Sequence, residues 1–592
     1  MKPMLVWLCI GIASFTAIQW ANPTIVRAVA IENNVARYMN EQPYTAAMNA
    51  AKTGELWLVI NYKRGENTTF VIAPTPNKDW RDTTCINQVR MANRPIYTTP
   101  ICKEMVLDLS PYLSEGLNGM ALEIHAEQPE AAIYVSPKIF GAQALSTLGC
   151  LGLFAVAAAL LMYTAGAMGL NTTSGGIAVL GMAYFSFWLY FWPNLSYTAD
   201  LPGHLPYIIY MIDHWTRPYE YYGHENWHPP LYYFIAARVF NLFATGPISP
   251  LTAVRAFSIA LYMLFCLYGL ATLRLASGRE GLAYYVGCLL IVFWPASILK
   301  ATNINNDIPM YALWGAAFYY IVRSFQERSI GCLQTAVVLT GVAFMVKSNA
   351  WVPLGITGAC ALHGLYSGKW SWRQWFSRRS VMAAGVVCLG ITANFGRIIY
   401  MHFVHNNHGE VMNYFGYPRS DVHSFVYFIR FDLRDFINHL FIAFNQEPAF
   451  LNFFLKTMLY NEYSWGAPHF LSSLPLSLNI LLLLWLTITI FGVLISLINN
   501  RQERTKLYPH IIAVTVSVVA SMGFMIVERY VFCQNFRYVL PMLIPLVVLF
   551  VRGMETANGD RVFKPIYWFG MATGVLLITG SVILYLSQYI SF

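Results

Sequence analysis

Charge is what this sequence has least of. Asp, Glu, Lys and Arg make up 11% of its 592 residues, against roughly 25% in soluble domains. So few charges cannot cover a water-soluble surface of this size, which excludes a soluble globular enzyme. Nucleotide-binding loops are missing too. Gly278-Arg-Glu-Gly281 and similar pieces lack the Walker spacing. No His-rich spacing of the zinc-enzyme kind occurs, so no cofactor is required and a divalent metal is not favoured. Cysteine is sparse where it would matter. Cys9, Cys150, Cys266, Cys288, Cys360 and Cys388 lie in apolar segments and read as small core residues. Cys85 and Cys102 alone lie in the one long hydrophilic stretch near the N-terminus. If that stretch is extracytoplasmic they are expected to form a disulfide; the alternative is two unrelated free thiols.

What the chain has in abundance is apolar surface: 57% hydrophobic and 16% aromatic residues. Its apolar runs repeat at lengths near those a helix needs to cross a bilayer, about 20 residues. Met4–Trp20, behind Lys2, is read as a transmembrane anchor rather than a cleaved signal peptide, since no small-residue cleavage site stands out. Twelve further spans are expected near 143–168, 174–193, 252–275, 281–299, 308–323, 331–346, 350–366, 381–398, 474–498, 508–528, 537–552 and 567–588. The formal net charge of +9 does not point to nucleic acid, because excess Lys and Arg in such a protein sit in cytoplasmic loops. Arg274 and Arg279, Arg323 and Arg328, then Lys369, Arg373, Arg378 and Arg379 fall in alternate loops. Arg501, Arg504 and Lys506, then Arg552, Arg561 and Lys564, continue the same side. That side is expected to be cytoplasmic, which puts residues 21–141 and the loops 194–251, 300–307 and 399–473 outside.

Residues 21–141 form the only stretch that reads as a soluble domain. A helix is expected over Ile25–Lys52. Strand alternation follows in Trp57–Tyr62, Thr69–Ile72, Met120–His125 and Ala132–Val135, punctuated by Pro, Asn and Gly. Val106–Ile124 has the pattern of a strand, a short turn ending in Gly, and a second strand. That pattern resembles the edge of carbohydrate-binding jelly rolls, and a purely structural β-sandwich fits it equally. Leu205–Trp215 and Leu231–Phe243 are too polar to cross a bilayer and too apolar to float, and are expected to lie along the membrane surface.

Ionisable groups gather where the chain leaves a span on the expected outer face. Asn194-Leu-Ser-Tyr-Thr-Ala-Asp200-Leu-Pro-Gly-His204-Leu-Pro-Tyr207 leads on to His228-Pro-Pro-Leu-Tyr232-Tyr233. Asp200 and His204 are four apart, a spacing that shares one helix face. Further on come Thr302-Asn-Ile-Asn-Asn-Asp307, Val346-Lys347-Ser-Asn349 and Gln534-Asn-Phe-Arg537-Tyr538-Val-Leu-Pro541. In this order, over about 350 residues, the four motifs resemble the polyprenyl-phosphate-dependent glycosyltransferases of the GT-C fold. Protein O-mannosyltransferases and lipid A aminoarabinose transferases belong to that superfamily, and some bacterial pilin arabinofuranosyltransferases are of the same general type. Two features depart from the pattern: Leu201 follows Asp200 where many relatives carry Glu, and a β-rich domain precedes the core.

The resemblance implies a polytopic α-helical membrane protein of about 13 spans with an inserted extracytoplasmic β-sandwich or jelly-roll-like domain. Residues 1–20 would be the anchor, 21–141 the β-rich domain and 142–592 the catalytic membrane region. It implies an inverting transfer of sugar from a polyprenyl-phosphate donor, such as an undecaprenyl phosphate sugar, to a hydroxyl on a protein or glycolipid. The site would face the periplasm from a bacterial inner membrane. Asp200 would be the general base, and Asp307 would position donor or acceptor; the structural alternative for both is a helix cap ahead of a proline. Lys347, Arg537, Tyr538 and Arg397, with Arg529 a lesser candidate, would hold the donor phosphate. For the cations the alternative is snorkelling to the interface. His204 and His228 are further phosphate candidates, or metal ligands with Asp200, although His228 before two prolines also suits a turn-shaping role. Tyr207, Tyr232 and Tyr233 read as interfacial aromatics. The loop 399–473, with His402, His405, His408, Tyr414, Arg419, Asp421, His423, Arg430, Asp432 and Arg434, suits an acceptor-binding lid or a packed structural loop. Within it, Phe453–Tyr463 is expected to be an amphipathic helix. The rival to a transferase is a transporter or flippase of lipid-linked sugars, which predicts an internal repeat and mid-membrane charges; neither is evident.

Overall fold

The computed structural model describes residues 2–21, most of 24–137, then 144–191, 201–214, 228–243, 250–277, 279–404, 425–441, 449–460, 472–499, 501–528 and 534–590. The chain divides into two compact units. One comprises Met1–Thr164, Ser186–Ser258 and Thr302–Asn305; the other comprises Ala165–Phe185, Ile259–Ala301 and Asn306–Phe592.

In the first unit, ten strands make two antiparallel sheets. They are β1 (Thr24–Glu32), β2 (Val35–Met39), β3 (Tyr44–Ala47), β4 (Thr53–Tyr62), β5 (Thr69–Pro74), β6 (Cys85–Met91), β7 (Arg94–Tyr97), β8 (Met105–Asp108), β9 (Gly116–His125) and β10 (Glu130–Pro137). The sheet orders are β2-β1-β4-β9-β6-β7 and β3-β10-β5-β8. Period-two alternation builds the core. Leu56, Leu58 and Ile60 of β4 and Met120, Leu122 and Ile124 of β9 point inward, and meet Phe70 and Ile72 of β5 and Ile133 and Val135 of β10. Because one apolar cluster draws on both sheets, the domain is a β-sandwich. Cys85, at the start of β6, is disulfide-bonded to Cys102, 17 residues on.

One local reading changes. The helix expected over Ile25–Lys52 is instead β1, β2 and β3. Alanines spread through that stretch imitate helix composition, but Ile25, Val26, Val29 and Ile31 are strand formers. β1 and β2 pair antiparallel, with Glu32 opposite Val35. Over Val106–Ile124 the expected strand, turn and strand are present as β8 and β9. β8 pairs with β5 and β9 with β4 and β6, so the chain crosses there from one sheet to the other. Asp108 stabilises the crossing: its carboxylate accepts from Ser110 N at 2.9 Å, Ser110 Oγ at 3.0 Å and Thr68 Oγ1 at 3.0 Å.

The rest is a multi-pass helical membrane protein. Among the described residues, seven helices are long and apolar enough to cross: Leu148–Ala167, Pro250–Ala276, Arg378–Gly396, Leu474–Ile498, Arg504–Ile526, Phe536–Gly559 and Lys564–Ser587. Helices also occupy the six other expected spans, as Lys2–Ala21, Thr172–Phe191, Leu282–Val292, Asp307–Glu327, Ile330–Phe344 and Trp351–Tyr366. Three of these are only 11, 15 and 16 residues long, and Asp307–Glu327 carries charge at both ends, so thirteen spans are not reached on length and composition. The expected span 281–299 is interrupted. Its helix stops at Val292 and a separate turn begins at Ser297, because Pro295 disfavours helical backbone at Trp294.

In the second unit, two close backbone approaches depend on glycine. A Cβ on Gly553 would lie 2.7 Å from the backbone of Gly492, and one on Gly390 would meet Gly341 O at 2.1 Å. Such pairs let membrane helices pack on backbone contacts that side chains would otherwise hold apart. Arg552 was assigned above to a cytoplasmic loop. It instead lies within the continuing helix Leu543–Gly559, nearly buried, with Nη1 2.7 Å from Glu555. Gly553→Val is expected to cost about 1–3 kcal/mol through overpacking. Thermal unfolding of the detergent-solubilised protein checks this; an unchanged midpoint would show that the contact yields freely.

Candidate functional site

The second unit places Asp307 and Lys347 together by simple helix arithmetic. The helix Asp307–Glu327 ends in Arg328, whose φ of 52° reverses the chain, and Ser329 caps the next helix, Ile330–Phe344. With so short a connection, the two helices run antiparallel. Helices of this length rise about 1.5 Å per residue, so the first residue of one returns beside the residues that follow the other. Lys347 is the extended residue that breaks Ile330–Phe344 from the turn leading into Trp351–Tyr366. Its Nζ donates to Asp307 Oδ1 at 2.6 Å, and the two side chains are 6% and 2% exposed. The neighbouring Asn306 Nδ2 donates to Val346 O at 3.4 Å.

Arg537 arrives from the tight helix Phe536–Met542. Its backbone is held on both sides. The N–H donates to Asn535 Oδ1 at 2.8 Å, and the carbonyl accepts from Tyr311 Oη at 2.6 Å. The Tyr538 ring lies 4.9 Å from the Arg537 guanidinium and 5.5 Å from the Lys347 ammonium. Arg537 Nη2 also donates to Tyr538 Oη at 2.9 Å. Burial by itself would push the Asp307 carboxyl up. The charges of Lys347, Arg537 and Lys300 outweigh it and hold that carboxyl below its ordinary range. Three cations thus act on this one carboxylate.

His204 and His228 belong to the first unit and form a different cluster. His204 Nδ1 is 2.7 Å from Tyr233 Oη, and the two histidine rings stack at 6.0 Å. Tyr207 donates to His228 O at 3.1 Å and stacks on Tyr233 at 3.7 Å. These contacts tie helix Leu201–His214 to helix Leu231–Leu242. The tyrosines are therefore not interfacial: Tyr207, Tyr232 and Tyr233 are at most 1% exposed, enclosed in protein.

Asp200 and Arg529 lie outside the described residues, as does the side chain of Arg397. In the loop 399–473, the side chains of residues 399–404 and all of 405–424 are likewise outside them. Of its expected residues, Arg430 pairs with Asp432 at 2.9 Å, and Asp432 accepts from Asp435 N as a helix cap. The expected amphipathic helix is Phe450–Tyr460, but it is mostly buried rather than lying on a surface. Among the described residues, no group of three or more His, Cys, Asp or Glu could hold a metal.

Lys300, Tyr311 and Asn535 were missed in the sequence. Lys300 had a readable signal, as the only cation in the apolar run from Leu282 to Ala301. Tyr311 and Asn535 act through contacts with Arg537, and no local pattern announces those.

Lys347→Met removes the ammonium bonded to the buried Asp307 carboxylate and is expected to cost about 3–5 kcal/mol. Adding Asp307→Asn removes the stranded charge and is expected to recover part of that loss. Thermal unfolding in detergent measures both; a double variant less stable than the single one would contradict the pairing.

Residues 227–395 match the family model described as dolichyl-phosphate-mannose-protein mannosyltransferase. No curated protein matches the sequence. Solved structures similar to this chain include apo ArnT from Cupriavidus metallidurans, at 15% identity and TM-score 0.29, covering 60% of this chain and 73% of that one. ArnT from the same organism bound to undecaprenyl phosphate matches at 14% identity and TM-score 0.29, covering 70% of this chain and 79% of that one. Arabinosyltransferase EmbB from Mycobacterium smegmatis matches at 10% identity and TM-score 0.39, covering 99% of this chain and 60% of that one. The matched segment contains His228, Asp307 and Lys347.

Proposed function

We propose that the protein transfers a sugar from a polyprenyl-phosphate donor to an acceptor hydroxyl of a protein or glycolipid. The reaction would occur at the periplasmic face of a bacterial inner membrane, with inversion at the anomeric carbon. One observation carries the reading: Lys347 is paired with the buried Asp307 carboxylate, and the charges of Arg537 and Lys300 act on the same group. A departing polyprenyl phosphate develops negative charge, and fixed cations stabilise it more than mobile water does. Asp307 keeps Lys347 oriented, so its role is positioning.

Asp200 is assigned as the general base. As the acceptor oxygen bonds to the anomeric carbon, the bond from that carbon to the phosphate oxygen breaks. The hydroxyl proton passes to Asp200, and the electron pair leaves with the phosphate. The support for Asp200 is its place in the sequence, four residues before His204. The buried His204–Tyr233 contact gives that helix a fixed footing.

Purified protein offered a panel of polyprenyl-phosphate sugars should consume one of them. Asp200→Asn should lower kcat by a factor of about 10²–10⁴, the usual contribution of a general base, while remaining folded. Equal turnover by the variant would remove Asp200 from the mechanism. Failure of the wild type to consume any donor, with protein and glycolipid acceptors supplied, would favour transport of lipid-linked sugars instead.

A further inference from the structure

Helix Phe450–Tyr460 lies in the loop 399–473, and its last five residues are each bonded to a different segment. Lys456 Nζ donates to Asp435 Oδ2 at 3.0 Å, and Thr457 Oγ1 accepts from Phe536 N at 2.9 Å. Met458 O accepts from Trp294 Nε1 at 2.7 Å, and Leu459 O from Tyr585 Oη at 3.0 Å. Tyr460 Oη donates to Pro475 O at 2.7 Å. The final carbonyls of a helix lack intrahelical partners; here an indole and a phenol satisfy two of them. The turn is thus fixed from several directions at once.

Thr457 is the member that reaches the site. Its hydroxyl donates to Phe454 O at 2.9 Å within its own helix, which aims an oxygen lone pair outward. That lone pair receives the N–H of Phe536, the residue immediately before Arg537. Phe536 is fully buried and packs edge-on against Phe454 with ring centroids 5.4 Å apart, so no water can replace the hydroxyl. A second bond joins the same two regions: Tyr427 Oη donates to Gln534 Oε1 at 2.8 Å. The turn that presents Arg537 is therefore fastened on the side of the 399–473 loop as well as by Asn535 and Tyr311.

We propose that Thr457 is a positioning residue for the donor phosphate, acting through the Phe536 amide to set the direction of Arg537. This rests on the assignment of Arg537 to the donor phosphate. Removing the hydroxyl leaves a buried N–H without its acceptor, and the turn rotates to find another.

The test measures donor and acceptor kinetics of the full-length protein in detergent, alongside unfolding midpoints. Thr457→Val should raise the donor KM about tenfold, the scale of one lost buried hydrogen bond, and leave the acceptor KM unchanged. Thr457→Ser should restore the wild-type value, since it keeps the hydroxyl. Arg537→Ala should impair donor use more strongly, and adding Thr457→Val to it should cost nothing further, because the two act in series. If Val is not tolerated, Thr457→Ala removes the same hydroxyl and is read in the same way. A Thr457 effect that persists in full on top of Arg537→Ala, or that Ser does not rescue, overturns the positioning role alone. Unchanged donor kinetics in Arg537→Ala would overturn the phosphate assignment and this inference with it.

Discussion

The ion pair between Asp307 and Lys347 constrains everything around it. Two charges removed from water cost several kcal/mol each, by general estimate, unless they meet in good geometry. At 2.6 Å and nearly complete burial they do meet, and that condition dictates the local fold. The helix beginning at Asp307 must return through a tight reversal, and the chain after Phe344 must leave helical conformation so that Lys347 can turn back. The left-handed Arg328 and the extended Lys347 are the two backbone departures that satisfy these demands. A site built this way is rigid before any ligand arrives, which is what electrostatic stabilisation of a leaving group needs.

Around the pair, the work is divided. Lys347 is paired with Asp307, and the charges of Lys300 and Arg537 act on the same carboxylate. Tyr538 lies against both Lys347 and Arg537, as an aromatic face attractive to cations. The turn carrying Arg537 depends on neighbours from three directions: Asn535, Tyr311 and Thr457. The 399–473 loop therefore contributes structure to the site through its buried helix Phe450–Tyr460. In the first unit the histidine–tyrosine cluster ties helix Leu201–His214 to helix Leu231–Leu242 through the His204–Tyr233 contact and the stacked His204 and His228 rings.

Much of this was legible in the sequence, for identifiable reasons. Helices occupy all the segments that hydropathy picked out, because a bilayer-length apolar run leaves the backbone no alternative. Asp307, Lys347 and Arg537 stood out as charges at the ends of apolar runs, and the structure brings these three together. Short-range ambiguity defeated the reading of Ile25–Lys52, where scattered alanines obscured three strands. The break at Pro295 was hidden inside an otherwise continuous apolar run. The roles of Tyr311 and Thr457 were not legible at all. Tyr311 lies 226 positions from Arg537, and Thr457 lies 79 from Phe536, so only the packed structure reveals their contacts. The tyrosines of the His-Pro-Pro-Leu-Tyr-Tyr segment misled in another way. Membrane tyrosines commonly sit at interfaces, but Tyr232 and Tyr233 are buried inside the protein, where Tyr233 Oη meets His204 Nδ1.

The proposed function depends on recognition of a polyprenyl phosphate by the cations around Asp307. Its most direct test is binding of undecaprenyl phosphate and of undecaprenol, the same chain without the phosphate, by native mass spectrometry of the wild type and of Arg537→Gln. The account predicts that the wild type retains the phosphate far better than the alcohol, and that Arg537→Gln loses about tenfold or more of that preference, the scale of one charge-assisted contact. Equal retention of phosphate and alcohol by the wild type would contradict it.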